Sequence, residues 1–269
     1  MLRVSTADWL AGGAAVLGAI AAAAGLFARG LYRDTPFWTE QTRGIDLATL
    51  FLAAPILIVS LALIARGSRV ALPVELGVLL YLAYNYAIYT TSVAMNRFAL
   101  IYIGVLGLSI WSAMLLVSSP SLGTASRALM GTSLGTAAAV FLLVITVMFG
   151  LLWLSQVIGA TVSGHPPTDL MRTGLPANPV YALDLAVFLP LAAISAIAVL
   201  RSLSPAADFA LPMLLWAFLT SAGIAGGFLF EARAGEAVPV PIAALISLLG
   251  LAALALTALT VVQASRQAM

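Results

Sequence analysis

The sequence predicts an all-α, polytopic bundle of about eight transmembrane helices in a single domain spanning residues 1–269. Three observations carry this. Hydrophobic residues make up 62% of the chain and charged residues only 8%, with a mean hydropathy of +1.10, whereas a soluble domain carries about 25% charged residues. Eight stretches reach the roughly 20 apolar residues that a bilayer-crossing helix needs. These stretches are continuous rather than alternating, which selects helices over a β-barrel. So few charges exclude a soluble enzyme, a nucleic-acid binder and a disordered chain.

The predicted spans are 10–31, 44–65, 71–95, 98–119, 133–161, 179–200, 208–230 and 239–263. The first follows Arg3 and an alanine-rich run, as a signal peptide would, but residues 31–43 do not read as a small-residue cleavage region, so it is expected to be retained. The second opens on Asp46, contains Pro55 and ends at Arg66. The third holds most of the polar side chains. Tyr81, Asn85, Tyr89, Ser92 and Asn96 recur at the spacing of one helical face, widened by Tyr84, Tyr86, Thr90 and Thr91, and Glu75 lies about one turn in, where it can snorkel or pair with Arg66 or Arg69. Arg97 is expected to cap this helix, and Tyr102 starts the fourth. The fifth ends on Ser155 and Gln156. Asn178, Tyr181 and Asp184 open the sixth, and Pro190 and Pro212 lie in the sixth and seventh, where proline kinks or loosens a helix. Gly131 with Gly135, and Gly223 with Gly227, are G-x-x-x-G pairs that permit close helix contact.

Eight spans place both termini on one side. Arg3, Arg66, Arg69, Arg127, Arg201 and Arg266 lie there, and six other arginines lie opposite, so the positive-inside rule does not decide. The two longer polar loops, 32–43 and 162–178, lie on the far side, where acidic residues also offset the arginines. Both features favour cytoplasmic termini in a bacterial inner membrane.

The second and sixth spans read alike. Ile45-Asp46-Leu47-Ala48 parallels Leu183-Asp184-Leu185-Ala186, and Ala71-Leu72-Pro73 parallels Ala210-Leu211-Pro212, each about 138 residues apart. This predicts a parallel 4+4 repeat with halves 1–130 and 131–269, although alanine- and leucine-rich helices also align by chance.

A polar side chain in the bilayer needs a partner or a purpose. Asp46, Tyr81, Asn85, Tyr89, Asn96, Arg97, Tyr102, Gln156, Tyr181 and Asp184 fall at one depth, on the side of the long loops, and predict an outward-facing polar pocket. There Asp46 and Asp184 would be the acids, Tyr and Asn the neutral hydrogen-bonding groups and Arg97 an anion contact. Each residue also has a structural reading: Asp caps the first turn of a helix, Tyr favours membrane interfaces, and Asn and Ser join neighbouring helices.

All 12 basic residues are arginine, which removes lysine Schiff-base chemistry. The chain has no cysteine, so thiolate ligands and Fe–S clusters are excluded. His165, the one histidine, is a weak metal ligand even with Asp169 nearby. No metal or cofactor is implied. Walker, nucleophile-elbow and H-E-x-x-H motifs are missing.

Residues 44–102 resemble a group of uncharacterised bacterial multi-pass membrane proteins. The carrying residues are Gly44-Ile45-Asp46-Leu47, Arg66-Gly67-Ser68, Tyr84-Asn85-Tyr86 and Asn96-Arg97-Phe98 with Tyr102, joined by Asn178-Pro179-Val180-Tyr181-Ala182-Leu183-Asp184-Leu185. The resemblance implies no activity. The leading expectation is binding, transport or sensing of a small polar or ionic ligand. The alternatives are a non-catalytic subunit or scaffold of a larger membrane complex, and a membrane-embedded enzyme using Asp46 or Asp184 as general acid or base. Expected partners are the lipid bilayer, the small ligand, and a membrane-protein partner or a second copy of the chain, with no nucleic acid.

Overall fold

A computed structural model describes residues 5–119 and 122–268, apart from the side chains of Asp169 and Ala268. Arg3 lies outside the described residues. The described chain is helical, without strands, and eight of its helices are long and apolar enough to cross a membrane: α1 (Thr6–Phe27), α2 (Pro36–Ala65), α3 (Ala71–Ser92), α4 (Ala99–Val117), α5 (Ser133–Ser163), α6 (Pro179–Leu200), α7 (Ala206–Arg233) and α8 (Val240–Gln267). This is the build of a multi-pass membrane protein.

Local chemistry sets the ends. Ser5 and Asp8 form a reciprocal capping box at the start of α1. Thr35 caps α2, Thr132 caps α5 and Asn178 caps α6, with Pro36 and Pro179 at the first helical position. Gly164 ends α5 in the left-handed conformation at φ 69°. Several helices outrun their apolar segments. α2 begins at Pro36 rather than residue 44, and α7 runs on to Arg233, which takes Glu231 into the helix. In the other direction, α3 stops at Ser92 instead of residue 95. Asn96 therefore lies in the turn to α4 and not on the α3 face, and its Oδ1 accepts the Phe98 N–H at 2.9 Å.

Pro55 and Pro190 each follow a π-helical stretch, Thr49–Ala53 in α2 and Asp184–Phe188 in α6. A proline ring collides with the carbonyl four residues back. That carbonyl belongs to Phe51 or Ala186, inside the widened turn in each case. The two π segments are followed by α stretches of equal length, Ala54–Ala65 and Leu189–Leu200. In this register Asp184 corresponds to Thr49, three residues on from Asp46. Pro212 kinks nothing: it sits in the first α turn of α7, where no backbone hydrogen bond is lost.

α3 and α7 lie side by side at the centre. The apolar window of α3 is 78% buried, against 22% for those of α5 and α8, whose remaining surface lies on the outside of the bundle. Gly77 of α3 lets Leu215 and the Pro212 carbonyl of α7 approach to 3.0 Å from where a Cβ would stand. α2 packs on α7 more tightly still: a Cβ on Gly44 would collide with the backbone of Gly223 and Gly227. α1 and α4 pair on one flank of α3, and α5, α6 and α8 occupy the other flank. At the end of the bundle opposite the termini, here the loop end, a short helix (Thr168–Thr173) is tied to the start of α2. Thr35 Oγ1 donates to Arg172 O at 3.0 Å, and the Arg172 guanidinium covers the Phe37 ring at 4.3 Å. At the termini end a second short helix (Thr124–Leu129) contacts α8, where Gln263 Nε2 donates to Ala128 O at 2.6 Å.

Candidate functional site

α3 divides the polar residues of the loop end into two groups. Successive helix residues turn by about 100°, so Tyr84 and Tyr89 leave α3 about 140° apart. They face different acids.

The first group surrounds Asp46, which is 1% exposed. Tyr32, from the α1–α2 connection, donates its phenol to Oδ2 at 2.5 Å, and Tyr89 donates to Oδ1 at 2.9 Å and lies 3.0 Å from Thr42 O. Gly25 of α1 makes this possible, since a Cβ there would run into the Asp46 carboxylate and the Tyr32 hydroxyl. Burial holds the Tyr32 phenol well above its ordinary pKa, and the negative charge of Asp46 adds to this. Tyr32 thus remains a proton donor. Tyr86 and Tyr102 pack on Tyr89 with ring centroids 5.2 Å away, and Tyr86 also reaches α1, donating to Gly18 O at 3.2 Å. One turn further in, the Tyr81 hydroxyl lies 3.1 Å from Thr49 Oγ1 and 3.2 Å from Ile45 O, at the edge of the π segment. Asn85 turns back to Tyr81 O at 2.9 Å, and Asn96 reaches the Tyr102 hydroxyl at 3.4 Å. Both Asp46 oxygens are satisfied and the rings fill the surroundings. The group joins α1, α2, α3 and α4.

The second group surrounds Asp184, which is 5% exposed at the start of the α6 π segment. Trp153 of α5 donates its indole N–H to Oδ2 at 2.7 Å. Beside the carboxyl is a cavity of about 70 Å³ between α3, α5, α6, α7 and α8. Three buried polar atoms on its lining residues have no hydrogen-bond partner among the described residues: Asp184 Oδ1, Trp216 Nε1 and Thr220 Oγ1. Tyr84 lines the cavity with its edge toward the stacked rings of Phe188 and Trp216, at 4.8 and 5.5 Å. No arginine lines it. The residues around this small space thus carry a carboxyl, an indole N–H and a hydroxyl among aromatic rings.

Trp153 is also a wall. Its ring packs at a tilt against Tyr181, with centroids 5.1 Å apart, and Tyr181 lines a larger groove of about 660 Å³ at the loop end of α5 and α6.

The ten residues singled out in the sequence therefore divide. Asp46, Tyr81, Tyr89, Asn96 and Tyr102 meet around the first acid, with Asn85 bonded to the α3 backbone beside them. Asp184 belongs to the second group, with Tyr181 behind Trp153. Arg97 is exposed and lies over the Phe98 ring at 5.8 Å, so it is not a cap of α3. Gln156 is half-buried on α5 and lines neither space. Tyr32, Trp153, Trp216 and Thr220 come from outside that set. A tryptophan within a span was the available signal, because a buried indole N–H needs a partner.

Three further acids are buried. Glu75 is 0% exposed, both of its oxygens lack a partner among the described residues, and it faces Asp8 rather than Arg66 or Arg69. Glu231 accepts from Gln41 Nε2 at 2.7 Å. Among the described residues the ion pair formed is Arg43 with Glu40, at 3.1 Å. His165 is exposed, with Nδ1 2.8 Å from Ser163 O, and the side chain of Asp169 lies outside the described residues. Among the described residues no three His, Cys, Asp or Glu side chains gather around one point. No known protein family, curated protein or solved structure matches the chain.

Proposed function

We propose that the protein binds a small organic cation, of the ammonium type, at Asp184, as the recognition step of transport or sensing across the membrane. The observation that carries this is a buried carboxyl that no arginine neutralises, on a residue that lines an aromatic-framed cavity together with Thr220, with two unpartnered acceptors, Asp184 Oδ1 and Thr220 Oγ1. A buried charge without a partner is costly, and a ligand that brings the positive charge removes that cost. An ammonium group suits the rest of the lining: its N–H groups find Asp184 Oδ1 and Thr220 Oγ1, and aromatic faces attract cations by about 0.5–2 kcal/mol. The volume suits a headgroup rather than a large molecule, since one water occupies about 30 Å³ of liquid. The Asp46 group supports the site by joining α1, α2, α3 and α4.

Titration of the full chain in lipid nanodiscs with ethylammonium, followed by thermal unfolding, tests this. Ethylammonium is expected to raise the midpoint, Asp184→Asn to remove the rise, and Arg97→Ala to leave it unchanged. A rise that persists in Asp184→Asn refutes the assignment.

A further inference from the structure

The groove behind Trp153 has a composition unlike the cavity. Its walls come from one face of α5 (Val157, Ala160), from Pro166 and Pro167 in the following loop, and from Ala182 and Ala186 on α6. Alanine and proline are too short to fill the space between α5 and α6, so a groove of about 660 Å³ remains, within the roughly 300–1,000 Å³ of ligand clefts. None of the residues lining it is charged. It lies where α5 and α6 reach the loop end, and α5 is among the least buried spans.

Groove and cavity share one partition. The Trp153 ring lies against Tyr181 on the groove side, while its indole N–H holds Asp184 on the cavity side. A group in the groove thus meets Tyr181, with Trp153 directly behind it against the acid. We infer that groove and cavity form one site for a membrane-partitioned amphipathic amine, with its alkyl chain in the groove and its ammonium head at Asp184. The head donates to the unpartnered Oδ1 while the Trp153 indole keeps Oδ2, so no hydrogen bond is lost. The apolar groove accounts for a chain, the carboxyl accounts for a basic head, and the partition accounts for their separation. A free hydrophilic amine would have no use for the groove. This inference rests on the assignment of Asp184 as the cation site.

The test compares dodecylammonium, ethylammonium and dodecanol on the full chain in nanodiscs, at matched mole fraction in the membrane. Dodecylammonium is expected to bind at least ten-fold more tightly than ethylammonium. Ala182→Trp, which fills the groove from an exposed position, should abolish that gain and leave ethylammonium binding intact, and Ala186→Trp repeats the test one turn on. Asp184→Asn should abolish binding of both amines. If the chain adds nothing, or its gain survives both tryptophan variants, the groove inference is overturned while Asp184 stands. If dodecanol binds as tightly as dodecylammonium and is indifferent to Asp184→Asn, the groove holds bulk lipid only and the inference is again overturned. If neither amine binds, the Asp184 assignment falls and takes this inference with it.

Discussion

Tyr89→Phe removes one oxygen and leaves the ring, so it isolates what the phenol does for Asp46. In the folded protein that hydroxyl lies 2.9 Å from Asp46 Oδ1 and 3.0 Å from Thr42 O. A hydrogen bond to a charged group contributes about 1.5–3 kcal/mol and a neutral one about 0.5–1.5 kcal/mol. With Asp46 1% exposed, no water replaces the lost donor. Packing is retained, because the rings of Tyr86 and Tyr102 contact the Tyr89 ring rather than its hydroxyl. The phenol has one proton and both neighbours are acceptors, so a single charge-assisted bond is lost, about 1.5–3 kcal/mol of unfolding free energy. Equilibrium unfolding in mixed micelles with increasing dodecyl sulfate, followed by near-ultraviolet circular dichroism, measures it. The same substitution in an Asp46→Asn background should cost only about 1 kcal/mol, since the acceptor is then neutral, giving a coupling of about 0.5–2 kcal/mol. A loss below about 0.5 kcal/mol, or one equal in both backgrounds, would refute the reading of Asp46 as a carboxylate held by phenols.

Two other predictions concern the helix packing and the loop end. Gly44→Ala places a Cβ against the backbone of Gly223 and Gly227, which no rotamer change can relieve. Overpacking costs about 1–3 kcal/mol, and a contact with backbone belongs at the top of that range. A thermal midpoint equal to the parent's would show that α2 and α7 are not in contact there. Asp34 lies outside the spans, accepts the Ala94 N–H at 2.9 Å and keeps its other oxygen buried, so burial raises its pKa despite that hydrogen bond. The folded state therefore holds the proton more tightly than the unfolded state. Stability from this group is fully present below the ordinary carboxylate value and is lost as pH rises through the raised one. Asp34→Asn keeps the acceptor and should flatten stability against pH across that window; an unchanged pH profile would count against this assignment.

Much of the architecture is legible in the sequence because it is local. A run of apolar residues long enough to cross a bilayer forms a helix wherever it lies, since unpaired backbone groups are too costly in lipid. The bounds are less legible where a helix outlasts its apolar run. The helical turns at 36–43 and at Glu231 are held by contacts between helices, such as Gln41 with Glu231 and Arg43 over the Phe230 ring at 4.5 Å, and not by hydropathy. The crowding of tyrosine on α3 is visible as a pattern, but a helical face does not say what it faces. Tyr84 and Tyr89 serve different acids.

By itself, then, the sequence determined that this is a polytopic helical protein with a few acids inside apolar spans, because length, apolarity and charge are properties of each segment alone. Which acid is sealed and which is open was decided by tertiary structure. Asp46 and Asp184 look alike in their segments, each near the start of a span. One meets two phenols in a space cleared by Gly25 on another helix. The other meets an indole, with Tyr84 nearby, and a cavity left between five helices. The difference lies in neighbours that are distant in the chain, and only the packing of α1, α3, α5 and α7 around the two carboxyls brings those neighbours together.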